Sequence, residues 1–288
     1  MFALVGGNGY VGTAFQKFLT ASGLPFQNIS RAQLDYYDRS QLTQYLKDLQ
    51  PQFLINAAGF TGRPNVDACE LQKTECLNGN AVLPGVLRDV CEGLKLPWGH
   101  VSSGCIYTGE KSDGSGFTED DAPNFSFRQN NCSFYSGCKA LGEEVLNGAE
   151  QCYVWRLRIP FDEFNSPRNY LTKMMKYDRL LQARNSLSHL GQFVESCVAC
   201  WTKRVDFGLY NLTNPGAVTT RDVVGMLKSQ RFTDLEFDFF DSEEQFMQIA
   251  AKTPRSNCVL DSTKAVAAGL PLSPVQDMIE QSIRDWVE

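Results

Sequence analysis

The first half of the chain alternates between two kinds of hydrophobic pattern. Short, continuous apolar runs at residues 2–5, 52–56 and 98–102 have the length and composition of strands that are buried on both faces. Between them, apolar residues recur every three or four positions, as in residues 10–19 and 38–49, a spacing typical of amphipathic helices. Alternating strands and helices predict an α/β fold built on a doubly wound parallel sheet.

A glycine-rich turn follows the first predicted strand. Gly6, Gly9 and Gly12 lie between the apolar run Phe2–Val5 and the helical stretch 10–19. Without side chains they let the backbone turn sharply, approach a pyrophosphate and pack the helix close to the strand. N–H groups at a helix start also favour phosphate. This strand–turn–helix context predicts a Rossmann dinucleotide site. Its expected contacts are Gly6, Asn8, Gly9, Tyr10, Val11 and Gly12.

The end of the second predicted strand, residues 24–30, bears on the choice of cofactor. Enzymes that use NAD usually carry Asp or Glu there for the ribose 2′-hydroxyl, whereas this chain continues with Arg31 and has no acid before Asp35. Because a guanidinium suits a 2′-phosphate, we predict NADP(H); the alternative is that Arg31 is a solvated loop residue. Small residues after the third strand are also expected at the cofactor: Asn56, Ala57 and Ala58.

A tyrosine four residues before a lysine on a helix places both side chains on one face. The ammonium then lowers the pKa of the phenol, which can donate a proton to a ketone. The pattern occurs twice, at Tyr107/Lys111 and at Tyr135/Lys139. The first pair runs into the breaker-rich residues 113–116, whereas the second leads a run of helix formers. We therefore predict Tyr135 and Lys139 as the catalytic pair.

Ser103 follows the fourth predicted strand and precedes a long irregular stretch that ends near residue 133. Loops of this length in compact domains are usually functional. We predict that the Ser103 hydroxyl binds a carbonyl oxygen beside Tyr135; the alternative is a serine that caps a turn or helix. With Tyr135 and Lys139, it describes reduction of a ketone by hydride from NADPH.

Composition narrows the remaining possibilities. The net charge of −6 argues against a nucleic-acid surface. No apolar run of about 18 residues and no basic-then-apolar leader occurs, so we expect a cytoplasmic protein without a membrane anchor. The ten cysteines are scattered. The single Cys197-x-x-Cys200 pair has no second pair to complete a zinc site, so buried thiols and no metal are predicted.

Further motifs, in order along nearly the whole chain, resemble the extended short-chain dehydrogenase/reductases. More narrowly, they are similar to the plant-type nucleotide-rhamnose synthase/epimerase-reductases. The segments that carry this resemblance are 61–67 (Thr-Gly-Arg-Pro-Asn-Val-Asp), 69–70, 104–106, 116–125, 134–136, 158–160, 167–173, 214–216 and 254–257.

That family converts UDP-4-keto-6-deoxyglucose to UDP-rhamnose by 3,5-epimerisation and then NADPH-dependent 4-reduction. The C4 ketone acidifies the protons on C3 and C5, and the oxyanion would be held by Ser103 and Tyr135. The resemblance assigns the additional proton transfers to Cys105 and Lys173. The alternatives are a buried thiol and a solvated lysine.

The resemblance also implies a binding site for a nucleotide-diphosphate sugar. Arg168 and Arg255 are expected to bind the diphosphate, since a guanidinium matches phosphate in a bidentate way. The alternative for each is a structural ion pair. The other substrate-binding residues that it implies are Thr61, Gly62, Arg63, Asn65, Ser103, Gly104, Cys105 and Asn169.

The chain departs from the family at three points. Ser103 stands where a threonine is common, Gly137-Cys138 replace bulkier residues, and no dehydratase half is recognised. We therefore expect an upstream 4,6-dehydratase to supply the substrate, and a homodimer as the assembly. Two alternatives stay open: a monofunctional dTDP-4-dehydrorhamnose-type 4-ketoreductase, and a catalytically silent regulatory subunit or NADP sensor.

The predicted elements divide the chain into two units. An NADP-binding Rossmann domain is expected over residues 1–160 and is completed by about 205–230. A smaller C-terminal substrate-binding lobe is expected from residues 161–204 and 231–288.

Overall fold

The structure is a computed structural model that describes residues 1–288. The strands are β1 Phe2–Val5, β2 Phe26–Ile29, β3 Phe53–Asn56, β4 Trp98–Ser103, β5 Cys152–Leu157, β6 Pro160–Phe161, β7 Arg179–Leu180, β8 Arg184–Asn185, β9 Ser188–His189, β10 Gly208–Asn211, β11 Val218–Thr219 and β12 Asp238–Phe239. The α-helices are α1 Tyr10–Ala21, α2 Arg39–Leu49, α3 Lys73–Leu77, α4 Leu83–Leu94, α5 Phe134–Glu144, α6 Tyr170–Met174, α7 Leu190–Thr202, α8 Thr220–Ser229, α9 Glu243–Ile249, α10 Thr263–Ala267 and α11 Val275–Arg284. Short 3-10 helices span Val66–Glu70 and Gly104–Ile106, and a π-helical turn spans Asn78–Val82.

Six strands form the central sheet in the order β10-β5-β4-β3-β1-β2, and every neighbouring pair is parallel. From β1 the chain builds outward to β2 on one side and then to β3, β4 and β5 on the other. The predicted doubly wound α/β fold is therefore confirmed. In such sheets ligands bind beyond the carboxyl ends of the strands, where the order reverses, which here means next to Val5 and Asn56.

Helices cover both faces of the sheet. On one face α1 and α7 pack together and bury Phe15 and Phe193, while on the other α2 and α4 bury Leu42 and Leu87. Strands β1, β3 and β5 are buried at every position. This two-sided burial explains why β1 and β3 appear in the sequence as mostly apolar runs rather than as alternating ones; β5 differs in burying Arg156.

A third core belongs to the C-terminal half, where α6, α8 and α11 bury Met174, Leu227 and Ile279 against one another. Two helices depart from the predicted division of the chain. Helix α8, assigned to the Rossmann domain, contributes to this lobe core, whereas α7, assigned to the lobe, covers the sheet. The division into two domains itself stays a prediction. None of the helices combines the length and apolar character that crossing a lipid bilayer requires.

The chain leaves the sheet for the lobe through a strained residue. Strand β5 ends at Leu157, and two residues later Ile159 has a φ of +37°. A positive φ is an outlier for a β-branched residue, and the following Pro160 further restricts the backbone of Ile159. This conformation ends the strand and turns the chain into the lobe.

Candidate active site

The glycine turn after β1 is packed so tightly that side chains are excluded. Gly6 has a φ of +81°, and a Cβ there would lie 2.4 Å from the backbone nitrogen of Ala58. A Cβ on Gly12 would lie 2.1 Å from the carbonyl oxygen of Gly6. Helix α1 then begins at Tyr10, and its N-cap, Gly9, offers no side chain to the first amides. The turn thus presents backbone N–H groups at the edge of the sheet where ligands are expected.

The side chains predicted at the cofactor divide into two groups. Asn8 and Arg31 are exposed beside the turn and at the end of β2. Asn56 is wholly buried, donates to His100 Nδ1 at 2.9 Å and accepts from the Ala58 N–H at 3.1 Å. Both ends of its amide have partners within the protein, so the Asn56 side chain shapes the end of β3. The place of Asn56 beside the cofactor stays a prediction.

Ser103, Tyr135 and Lys139 lie where β4 ends and α5 begins. Ser133 caps α5 by accepting from the Ser136 N–H at 3.2 Å, so both members of the Tyr-x-x-x-Lys motif are helical. Lys139 is buried, and its ammonium donates to the carbonyl oxygen of Val101 on β4 at 3.3 Å. The helix therefore docks directly on the strand that carries Ser103.

Burial dominates the electrostatics of the Tyr135–Lys139 pair. Burial, followed by Cys105, raises the pKa of Tyr135 well above its usual value, although the Ser103 hydroxyl opposes this rise. Burial also lowers the pKa of Lys139. The expectation that the ammonium leaves Tyr135 with a lowered pKa is therefore wrong, because desolvation of the phenol outweighs the favourable interactions. At neutral pH the phenol is instead held in its protonated form.

Cys105 and Lys173 have different surroundings. Cys105 is buried next to Ser103, whose Oγ accepts from the Cys105 N–H at 3.3 Å. Burial raises the pKa of the Cys105 thiol, while hydrogen bonds with Ser103 and Ser136 oppose this effect. Lys173 lies on α6 and is half-buried. Its side-chain amine makes no hydrogen bond or ion pair within the protein. Burial and then the Arg168 charge lower the pKa of Lys173.

The two predicted diphosphate-binding arginines both contact the 61–67 loop. Arg168 Nη2 donates to the carbonyl oxygen of Gly62 at 3.1 Å. Arg255 forms a bidentate pair with Asp67, with both N–O distances at 2.7 Å. Burial alone would raise the pKa of Asp67, but Arg255 outweighs it and lowers that pKa. The structure thus shows Arg255 in an ion pair and leaves most of the Arg168 guanidinium free.

Sequence reasoning gave no role to Glu70, which connects three segments of the site. Its Oε1 accepts from the Phe134 N–H at 2.8 Å and from the Thr253 hydroxyl at 2.9 Å. It thereby joins the loop after β3 to the start of α5 and to the 253–257 segment. Its only sequence signal was its place in the 69–70 motif. The segments that resemble one family in sequence are therefore neighbours in space.

The other predicted substrate residues are placed unequally. Asn169 is wholly buried, donates to Asp162 and Phe164, and caps α6 through the Leu171 N–H at 3.0 Å. Its amide thus holds α6 in place, and a contact between Asn169 and the substrate stays a prediction. Gly104 is buried against Leu260. The exposed loop residues are Thr61, Arg63 and Asn65.

The first Tyr-x-x-x-Lys pair is not helical. Tyr107 follows a 3-10 turn, is fully buried and stacks on Phe117. Its hydroxyl donates to the carbonyl oxygen of Asp121 at 2.6 Å, and the Lys111 ammonium lies 2.6 Å from the carboxylate of the same residue. Both side chains thus brace one loop through Asp121.

A glycine turn at the switch point of a Rossmann sheet, with serine, tyrosine and lysine where β4 meets α5, defines a short-chain dehydrogenase/reductase. More narrowly, the chain belongs to the family described as RmlD substrate binding domain, whose model matches residues 1–287.

Relatives and solved structures agree with this assignment. From Arabidopsis thaliana, a bifunctional dTDP-4-dehydrorhamnose 3,5-epimerase/dTDP-4-dehydrorhamnose reductase is 34% identical over 91% of this chain and 85% of its own length. A trifunctional UDP-glucose 4,6-dehydratase/UDP-4-keto-6-deoxy-D-glucose 3,5-epimerase/UDP-4-keto-L-rhamnose-reductase is also 34% identical, but this chain spans 39% of its length. The L780 UDP-rhamnose synthase from Acanthamoeba polyphaga mimivirus has the same fold, with a TM-score of 0.90 at 23% identity over 99% of both chains.

Proposed function

We propose that this chain is an NADPH-dependent 4-ketoreductase of nucleotide-diphosphate 6-deoxysugars and also their 3,5-epimerase, producing UDP-rhamnose from UDP-4-keto-6-deoxyglucose. One observation carries the proposal: Ser103, Cys105 and Tyr135 adjoin one another at the end of β4, with buried Lys139 behind them. The names of the Arabidopsis relatives support both activities. A monofunctional 4-ketoreductase is the second candidate, since it would need only Ser103, Tyr135 and Lys139.

The glycine turn fits a dinucleotide. A Cβ at Gly6 would fill the space against Ala58, and the amides at the start of α1 have no side-chain cap. Gly6, Gly9 and these amides would hold the pyrophosphate, and exposed Arg31 would reach the 2′-phosphate. Bound NADPH would supply the hydride for the reduction.

In the reduction, Ser103 and Tyr135 bind the ketone oxygen, and Tyr135 donates its phenolic proton to that oxygen as hydride reaches C4. The phenol carries its proton at neutral pH and can act as a donor, but burial raises its pKa and makes it a weak acid, so donation needs help from a neighbouring cation. The Lys139 ammonium, behind the phenol, stabilises the negative charge that the phenol acquires when its proton leaves.

In the epimerisation, one group removes a proton from C3 or C5 and another returns it to the opposite face. We assign this work to Cys105 and Lys173, whose pKa values differ from their usual ones in opposite directions. Burial and the Arg168 charge lower the pKa of Lys173, and its amine has no partner in the protein, which together favour a role as the base. An upstream 4,6-dehydratase activity would supply the 4-keto sugar, and a cytoplasmic homodimer stays a prediction.

The test is incubation of the purified chain with UDP-4-keto-6-deoxyglucose and NADPH, with the product identified by NMR. UDP-rhamnose is expected. A 6-deoxysugar reduced at C4 without inversion at C3 and C5 would support the monofunctional reductase instead. Absence of NADPH consumption with both the un-epimerised and the pre-epimerised 4-keto sugar would refute the reductase assignment.

A further inference from the structure

A row of buried polar side chains crosses three strands beneath α5. Ser102 of β4, Arg156 of β5 and Asn211 of β10 are neighbours in the sheet register, and each is at most 2% exposed. Glu143 of α5 lies over this row. Arg156 Nη2 donates to its Oε2 at 2.8 Å, and the Ser102 hydroxyl donates to its Oε1 at 2.5 Å. The proposed reaction gives none of these side chains a role.

Glu143 is linked to the candidate catalytic residues through the helix it shares with them. It stands one turn after Lys139, so the two side chains lie on the same face of α5. Lys139 binds the Val101 carbonyl of β4, and Glu143 binds the next residue, Ser102. These two consecutive contacts fix the position of α5 along β4 directly before Ser103.

We propose that Glu143 is a positioning residue for the reduction: it sets the register of α5 on β4 and supplies a negative charge that keeps buried Lys139 in its ammonium form. The inference rests on the proposed reductase function, because Lys139 matters only if Tyr135 donates a proton to a ketone.

The groups around Lys139 support this role. Burial lowers the pKa of Lys139, and the charges that oppose this effect come from Cys105, Glu143, Cys76 and Cys138. Glu143 is the only carboxylate among them, and burial raises the pKa of Cys105, which leaves that thiol protonated. Hydrogen bonds from Cys138 and Cys69 lower the pKa of Cys76, the other group near Lys139 whose charged form would oppose the effect of burial. The remaining titratable group from β4 is His100, whose pKa burial lowers so that it stays neutral.

Arg156 completes the charge balance on the far side of Glu143. Its guanidinium lies 5.2 Å from the centre of the Tyr107 ring, and the Glu119 carboxylate also favours its charged form. Removing the Glu143 charge would leave Arg156 as an unpaired buried cation, which would further disfavour the Lys139 ammonium. Unit charges about 6 Å apart, the usual spacing of side chains one helical turn apart, interact at an effective dielectric constant near 20 strongly enough to shift a pKa by about one to two units.

The decisive measurement is the pKa of Lys139 by NMR of the folded chain carrying isotope-labelled lysine, with its signal assigned from Lys139→Met. Glu143→Gln is expected to lower this pKa by about one unit or more. The matched control is Glu144→Gln, which removes the same charge from the next residue of α5, where it pairs with Arg128 at the surface. In Glu143→Gln/Arg156→Gln, which leaves no unpaired cation, at least half of the shift should be reversed.

Activity supplies the second measurement. In Glu143→Gln the basic limb of the kcat/KM profile should move to lower pH, because Lys139 loses its proton earlier, whereas Glu144→Gln should keep the wild-type profile. An unchanged Lys139 pKa in folded Glu143→Gln would overturn the electrostatic role whether or not the chain is a reductase. This titration needs no turnover, so its failure is distinguishable from failure of the proposed function.

Ser102→Ala tests the positioning role while leaving the charges of Glu143 and Lys139 in place. It also decides whether Glu143 positions α5 if Glu143→Gln does not fold. Loss of the hydroxyl that joins β4 to Glu143 should lower kcat about three- to tenfold, with KM and the Lys139 pKa unchanged. A wild-type kcat in this variant would overturn the positioning role.

Discussion

The two Tyr-x-x-x-Lys pairs have the same spacing and share almost nothing else. Tyr135 and Lys139 occupy two turns of α5, and Lys139 is buried with one backbone partner on β4. Tyr107 and Lys111 lie on a loop, and both are bound to Asp121. The first pair adjoins Ser103, whereas the second holds its own loop in shape. Spacing gives a shared helical face only where a helix exists.

The comparison also shows what makes one of the two phenols able to act as a proton donor. Burial raises the pKa of both phenols, to about 12 for Tyr107. A raised pKa therefore does not distinguish a proton donor from a structural tyrosine. What distinguishes them is the partner, since the Tyr107 hydroxyl already donates to a carbonyl oxygen, whereas the groups beside the Tyr135 hydroxyl include the Ser103 hydroxyl and the Cys105 thiol.

Removing each phenolic hydroxyl in turn is expected to give the largest difference between the two tyrosines. Tyr135→Phe should lower kcat for reduction by roughly 10²–10⁴-fold, because positioned proton transfer is lost. Its matched control, Tyr107→Phe, should keep kcat within about threefold and lose about 1 kcal/mol of stability with its hydrogen bond. NADPH consumption and denaturant unfolding measure the two effects. Equal losses of activity in the two variants would contradict the assignment.

The second prediction concerns the two residues proposed to carry the epimerisation, Cys105 and Lys173. Cys105→Ala and Lys173→Met should each slow epimerisation about 100-fold while leaving reduction of a pre-epimerised 4-keto sugar near the wild-type rate. Exchange of the C3 and C5 protons with deuterated solvent, followed by NMR, measures epimerisation directly. A parallel loss of both reactions would show that the two residues do not serve a separate step.

The third prediction compares two arginines by the partners that their guanidinium groups already have within the protein. Arg168 has one carbonyl partner and Arg255 has a carboxylate, so Arg168 is the freer cation. Arg168→Met should raise KM for the nucleotide sugar about tenfold with little change in kcat. Arg255→Met should chiefly lower stability, since it leaves Asp67 unpaired. A larger KM effect for Arg255→Met would reverse this ranking.

The smallest effect is expected at the loop pair. The Lys111 ammonium, with Thr118, lowers the pKa of Asp121 to about 2. A lowered carboxyl pKa stabilises the fold above the unfolded value near 4, and this contribution is lost as pH falls toward 2. Lys111→Met should therefore lower the thermal midpoint by about 2 °C or less at neutral pH. The difference from wild type should vanish near pH 2, and one that persists there would argue against an ionic origin.

The sequence predicted the regular half of the molecule best. Strands such as β1 and β3 are buried on both faces, so their apolar runs were unambiguous, and α1 was marked by Gly9 before it. The choice of Tyr135 over Tyr107 likewise followed from helix-forming residues after Lys139. In each case a local rule and the tertiary fold require the same residues.

The sequence was least informative where a polar residue had two possible uses. Asn56 and Asn169 lie in motifs of the candidate site, yet both amides are satisfied by the protein itself. Sequence cannot reveal this, because buried polar groups obtain their partners from remote segments. Glu70 was missed for the same reason, since its partners lie 64 and 183 residues away.

The crossing at Ile159 constrains how this fold can be engineered. A β-branched residue held at positive φ before a proline costs on the order of 1–3 kcal/mol, so the surrounding packing must impose that shape. A chimera that joins this sheet to the lobe of another protein would inherit the bend without the contacts that enforce it. Splices placed several residues away from this bend, within well-packed helices, would leave the joint intact.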